Sequence, residues 1–419
     1  MRGVTIPRGA ARRPFVFVLT LCLLGPSVAG ADSVAPPPRA EGTLRIVTWN
    51  VSFFRKSAGE LAKELATQDS VQPQRIAAVL QRVRPDLLLL NEFDYDPRSP
   101  DLFAANYLAK SQQDGVPLRF ATHFVAPSNT GVPSGLDLDR DGKVSGGNDA
   151  LGFGQFPGQY GMVVYSNLPV DLISVRSFRS FLWRDMPDAQ IPPNWYSAAA
   201  LSKLPLSSKS HWDVVLRLTE TSQLHFLVSH PTPPGFDGPE DRNGRRNHDE
   251  IKLWADYIGG TRGNYLIDDA GRRGGLPLKA SFVIAGDLNA DPLDGGSMQG
   301  AIGQLLQHPR VHRDAAVGHL VPRSAGGAEA AQRQGGNNLG QRGDPSLDTA
   351  DFSDRGNSVG NLRVDYLLPS RDLDVCATGI FWPRSSDDEF SLVNDDADSS
   401  SDHRLVWMDI ALPGRRCPR

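Results

Sequence analysis

Short apolar runs recur along the chain, each bounded by turn-forming residues: Leu44–Trp49, Leu87–Leu90, Met162–Tyr165, Val214–Leu218, Phe226–Ser229, Phe282–Ala285, Leu362–Leu368 and Leu405–Ile410. Several are rich in β-branched or aromatic side chains, which fit a pleated, buried surface, so they read as strands. Elsewhere the period changes. In PQRIAAVLQRVRPD, Ile76, Leu80 and Val83 recur at helical spacing and Pro85 stops the run. In NHDEIKLWADYI, Ile251, Trp254, Ala255 and Ile258 fall on one helical face. Strands intermixed with helices predict an α/β or α+β architecture.

Three stretches carry neither period and read as long loops inserted in one domain over 43–414: 127–160, rich in Gly and Asp; 322–361, poor in large apolar residues; and 385–402, with seven acids and no base. Residues 32–42 (DSVAPPPRAEG) read as a Pro-rich linker. Before them, Arg2, Arg8, Arg12 and Arg13 precede an apolar run from Phe15 to Leu24, followed by Ala29-Gly30-Ala31. A basic start, a short apolar middle and a small-residue end make residues 1–31 a secretory signal peptide cleaved near Ala31, which predicts a secreted or periplasmic protein. That run is too short to span a bilayer, which needs about 20 apolar residues, and no second segment is longer, so no transmembrane segment is expected.

Composition narrows the partners. Residues 1–31 carry four arginines and no acid, so without them the formal charge moves from −4 to −8. A protein this acidic has no general attraction for a polyanion, and nucleic acid would not bind through a broad basic surface. Of the three cysteines, Cys376 and Cys417 lie outside the signal peptide. An oxidising compartment would allow them to pair and pin the C-terminal tail; two free thiols are the alternative.

The candidate chemistry lies at the ends of the apolar runs. LRIVTW meets Asn50, DLLLL meets Asn91 and Glu92, HFLVS meets His230, and SFVIAG meets Asp287 and Asn289. Asp365 sits inside LRVDYLLPS, and Asp402-His403 opens SDHRLVWMDI. If extended geometry persists past Gly286, Asp287 and Asn289 share a face. Taken singly, each residue fits a strand end or a turn; together they describe one rim. Carboxylates with an amide oxygen suit a hard divalent cation such as Mg²⁺. No Cys/His cluster indicates structural zinc.

The ordered set TWN (48–50), NE (91–92), YG (160–161), SH (229–230), GDLN (286–289), VDYLL (364–368) and SDH (401–403) resembles the endonuclease/exonuclease/phosphatase superfamily, with its deoxyribonuclease I-like fold. The resemblance covers residues 43–412. It implies a four-layer α/β/β/α sandwich of two mixed sheets flanked by helices, with the site at one end. It further implies that Asn50, Glu92 and Asp402 hold catalytic Mg²⁺ or Mn²⁺ and that Asp287 orients or deprotonates the attacking water. Asn289 and His230 would bind the scissile phosphate. His403 would stabilise the transition state or act as acid/base, oriented by Asp365, and Tyr160 would contact the phosphate or leaving group. The remaining histidines, His211 among them, carry no motif and read as core or surface residues.

Two further features stand apart. Arg242, Arg245 and Arg246 cluster before a helix and read either as an anion-binding group or as a solvated basic turn. DLDRDGKVSGGND (137–149) matches the first half of a calcium loop, with Asp137, Asp139 and Asp141 as ligands of a structural Ca²⁺, but Asn148 stands where a bidentate Glu is expected. The expected activity is metal-dependent hydrolysis of a phosphate ester, as a phosphodiesterase or endonuclease. The alternatives are a phosphomonoesterase or phospholipase-type enzyme and, from another class, a non-catalytic calcium-binding surface domain.

Overall fold

The computed structural model describes residues 36–394 and 400–418; the expected signal peptide and its cleavage point near Ala31 lie outside the described residues. Among the described residues there are eleven strands: β1 (Thr43–Phe53), β2 (Leu87–Phe93), β3 (Thr122–Phe124), β4 (Met162–Ser166), β5 (Arg176–Ser177), β6 (His211–Arg217), β7 (Gln223–Ser229), β8 (Ser281–Asp287), β9 (Asp365–Pro369), β10 (Val375–Phe381) and β11 (Leu405–Ala411). They form a six-stranded sheet in the order β10-β11-β1-β2-β4-β3 and a five-stranded sheet in the order β5-β6-β7-β8-β9.

Each sheet has one parallel pair, β1/β2 and β7/β8, and every other neighbour is antiparallel. A parallel pair needs a crossover. The helix Val71–Val83 lies between β1 and β2 in the chain, and Arg242–Ile258 lies between β7 and β8.

Alternation along the strands sorts the core into layers. Leu44 and Ile46 of β1, Leu87 and Leu89 of β2, Phe226 and Val228 of β7, and Val283 and Ala285 of β8 pack together between the sheets. The opposite faces carry Val47, Trp49, Leu88 and Leu90 against Ile76, Leu80 and Val83. Leu227 and Ile284 pack against Ile251, Trp254 and Ile258. The result is the four-layer α/β/β/α sandwich. Burial on both faces explains why the strands read as continuous apolar runs rather than alternating ones.

Three sequence expectations change or resolve. The stretch 322–361 is not all loop: Ala325–Gln334 is helical, and the Ser324 hydroxyl caps it by accepting from the Gly327 N–H at 3.0 Å. Its small Ala and Gly residues leave no apolar stripe to detect. The run Leu362–Leu368 becomes strand only from Asp365, because Leu362 and Val364 pack into a separate small cluster with Ala350. Cys376 and Cys417 form a disulfide that ties the tail to β10. No described helix is long and apolar enough to cross a membrane.

Candidate active site

The same alternation that builds the inter-sheet core delivers the polar residues. Asn50 continues the parity of Leu44 and Ile46, Asn91 that of Leu87 and Leu89, His230 that of Phe226 and Val228, and Asp287 that of Val283 and Ala285. Asp365 shares its side of β9 with Leu367. Five polar side chains therefore face the space between the sheets at one mouth. Asn50 Nδ2 donates to Asp287 Oδ2 at 3.1 Å, and the Asp287 N–H donates to Asn91 Oδ1 at 3.1 Å. These two bonds join the parallel pair of one sheet to that of the other. Gly286 permits the approach: its φ is +144°, and a Cβ there would stand 2.0 Å from the Ser229 carbonyl oxygen.

Glu92 has the wrong parity for this mouth. Its φ of 55° breaks the alternation. Burial pushes its carboxyl up to about 7, Asp402 and Asp287 add to the effect, and His403 and Asn50 oppose it. Asp402 is exposed, and its Oδ1 accepts from the Ser52 hydroxyl at 2.8 Å. Ser52, at φ 50°, turns its N–H onto Asn50 Oδ1 at 3.1 Å. Asn289 and Tyr160 also have left-handed backbone, at φ 51° and 55°. Such strain concentrates where a surrounding structure fixes a functional geometry.

The left-handed Asn289 corrects the expectation of extended geometry past Gly286. The strand ends at Asp287, and a side-chain turn follows in which the Asn289 N–H donates to Asp287 Oδ1 at 2.9 Å. Asn289 Nδ2 then donates to the Pro231 carbonyl at 3.1 Å, directly after His230.

His403 Nδ1 bonds Asp365 Oδ2 at 2.8 Å, and its Nε2 stands 3.7 Å from Asp287 Oδ2. Burial opposes a charge on His403, yet Asp365 and Asp287 together hold the imidazolium well above its ordinary range. His230 Nε2 lies 3.3 Å from Asp287 Oδ2. Burial and the nearby Lys209 charge push His230 down to about 4, so it is neutral near pH 7. Burial favours the protonated form of Asp287, but His403, His230 and the Asn50 amide outweigh it and hold the carboxyl below its usual range. The site thus holds an ionised Asp287 between a charged and a neutral imidazole.

Tyr160 lies farther out. Its N–H donates to Asp94 Oδ1 at 2.9 Å, and its ring packs against Phe54 and Phe153 with centroids 4.9 and 6.4 Å away. Burial, Glu92 and Asp94 push its hydroxyl up, so it stays a proton donor. Phe54 and Phe153 are 40% and 52% exposed, which leaves aromatic surface at the rim.

The family's sequence profile, described as the endonuclease/exonuclease/phosphatase family, matches residues 47–403. The chain belongs to the endonuclease/exonuclease/phosphatase family. It is accordingly a metal-dependent phosphoric ester hydrolase. Similar solved structures include an endonuclease/exonuclease/phosphatase from Beutenbergia cavernae, at 18% identity and TM-score 0.49, covering 89% of this chain and 72% of that one. Sphingomyelinase C from Streptomyces griseocarneus is similar at 13% identity and TM-score 0.43, covering 88% and 99%. The human Nocturnin catalytic domain is similar at 15% identity and TM-score 0.43, covering 89% and 95%. No curated protein sequence matches the chain.

The divalent cation that this family uses fits the donors present. Glu92, Asp402 and the Asn50 amide supply the oxygen donors a hard cation takes. Burial, with Asp402 and Asp287 beside it, raises the carboxyl of Glu92, which marks a position short of positive charge. Ligand atoms of Asp287, Asp365 and His403 also lie within 4.8 Å of one another. Two of these three, Asp365 and His403, are already bonded to each other at 2.8 Å.

Of the other sequence-derived candidates, the calcium loop gathers Asp137, Asp139 and Asp149 within 4.8 Å. Asp141 is outside that group; its carboxylate accepts the Lys143 N–H at 2.8 Å and faces that residue's ammonium at 3.8 Å. The arginine cluster is in part committed within the protein. Arg246 is buried on the carbonyls of Leu206, Leu151 and Pro205, Arg242 pairs with Glu240 and lies over Trp195, and Arg245 bonds the Glu240 carbonyl.

Two residues of the site were given no role from the sequence. Asn91 had a usable signal, its shared parity with Leu87 and Leu89. Lys209, buried before β6 with Nζ 3.4 Å from the Pro231 carbonyl, had none, because it approaches the site only through the packing of β6 and β7.

Proposed function

We propose that the protein is a secreted or periplasmic phosphodiesterase of endonuclease type. It would hydrolyse its ester by in-line attack of water, using Mg²⁺ or Mn²⁺ held by Asn50, Glu92 and Asp402. The observation that carries the reading is the arrangement around Asp287 Oδ2: Asn50 Nδ2 at 3.1 Å, His230 Nε2 at 3.3 Å and His403 Nε2 at 3.7 Å. When bound, the cation polarises the phosphoryl oxygens and offsets their charge.

The chain's own groups do the rest. Asp287, held ionised, accepts a hydrogen bond from the water and aims it; its low proton affinity makes orientation its main contribution. His403, held as imidazolium by Asp365, donates to the phosphoryl oxygens as charge builds on them. His230 and Asn289 flank the phosphoryl group, and the Tyr160 hydroxyl faces the leaving group. The exposed rings of Phe54 and Phe153 beside Tyr160 support a diester, because they offer stacking surface to a second ester substituent, which a monoester lacks. The acidic net charge argues for a site that takes short or flexible segments rather than a tight polyanion binder. The basic start and apolar run of residues 1–31 support export, and a structural Ca²⁺ on the 137–149 loop fits its gathered carboxylates.

Hydrolysis of bis-p-nitrophenyl phosphate, p-nitrophenyl phosphate and plasmid DNA, with Mg²⁺ or Mn²⁺ and after EDTA, tests the reading. Diester and DNA cleavage that EDTA abolishes is expected. Turnover of the monoester alone would replace this reading with a phosphomonoesterase.

A further inference from the structure

Lys209 is 7% exposed. An ammonium carries three donors, and leaving them unmet inside a protein is costly. Among the described residues its one hydrogen bond is the long one to the Pro231 carbonyl at 3.4 Å, and it forms no ion pair with any carboxylate. Glu250, the buried acid with the strongest pull on it, is already committed. Glu250 Oε1 accepts the Ser208 N–H and hydroxyl at 2.6 and 2.9 Å, and Oε2 accepts the Thr232 N–H at 2.6 Å.

The ammonium is also placed at the site. The Pro231 carbonyl it touches is the one that receives Asn289 Nδ2 at 3.1 Å. Ammonium and amide therefore converge on one atom, one residue beyond His230, whose Nε2 is 3.3 Å from Asp287 Oδ2. A buried cation with two unused donors, set beside two groups expected to flank a phosphate, is arranged to receive an anion.

We propose that Lys209 Nζ binds a non-bridging oxygen of the substrate's phosphoryl group, alongside Asn289. This rests on the phosphoesterase site described above and adds to it an ammonium donor supplied by the chain itself. It is a binding contact: no bond is made or broken at Lys209.

Inorganic phosphate titrated into the Mg²⁺-loaded protein tests it, read by calorimetry and by NMR of the lysine Cε signals in protein labelled at lysine. Removing a charged donor typically costs about tenfold to a hundredfold in affinity. Lys209→Met should weaken phosphate binding by that factor and lower kcat/KM on bis-p-nitrophenyl phosphate similarly, and Lys209→Arg should recover part of both. In the wild type, phosphate should shift the Lys209 Cε signal, a readout that does not depend on any variant folding. Wild-type phosphate affinity in Lys209→Met, with only its melting temperature lowered, would show a mere counter-charge to Glu250 and overturn the proposal; so would an unmoved Lys209 signal at saturating phosphate. Failure of the site itself looks different: Glu92→Gln and His403→Gln would then keep wild-type turnover.

Discussion

Replacing Asp365 with Asn removes one buried charge while keeping the shape of the mouth. Asp365 is 2% exposed, and its Oδ2 lies 2.8 Å from His403 Nδ1. Unit charges 4 Å apart interact by about 4 kcal/mol at an effective dielectric of 20. Part of that is offset because Asp287 remains near the ring, with its Oδ2 3.7 Å from His403 Nε2. A net loss of about 2–4 kcal/mol in support for the imidazolium corresponds to a fall of roughly 30- to 1,000-fold in kcat/KM. Asn also presents an N–H that can turn toward Nδ1 and invert the tautomer, which acts in the same direction. The assay is steady-state hydrolysis of bis-p-nitrophenyl phosphate with Mg²⁺, alongside melting temperature to separate misfolding from chemistry. The double variant Asp365→Asn/His403→Gln should be no worse than His403→Gln alone, because the aspartate acts through the histidine. Turnover within about threefold of wild type, or penalties that simply add, would refute the pairing.

Three further outcomes are expected. Glu92→Gln should abolish both divalent-dependent turnover and most of the rise in melting temperature that Mg²⁺ gives the wild type, measured by thermal shift before and after EDTA. Asn91→Ala, which strips the Asp287 N–H of its acceptor, should cost about 1–3 kcal/mol of stability and slow turnover by tenfold or more, read by denaturant unfolding and kinetics. His211 gives a pH dependence: burial pushes its imidazole down to about 4 against an ordinary 6.5. The unfolded chain therefore binds that proton first, and stability present above pH 6.5 is lost as pH falls toward 4, by about 1.4 kcal/mol per unit. His211→Asn should flatten this part of a plot of melting temperature against pH; an unchanged slope would show that other groups set it.

The sequence by itself determined the strands, the two long helices and the polar residue at each strand end, because burial on both faces writes long apolar runs and parity is fixed by period. It also carried the ordered motifs from TWN to SDH, and hence the family. It could not show where parity breaks. Glu92, Ser52, Tyr160 and Asn289 reach their places through left-handed backbone, a property of the surrounding packing that leaves no periodic trace. Nor could it show that Arg246 is spent on carbonyls and Arg242 on an acid while Lys209 lies buried against the carbonyl that follows His230. Local order along a chain sets which residues share a face. Only two sheets packed together decide which of them meet, and which charges are left without a partner once they do.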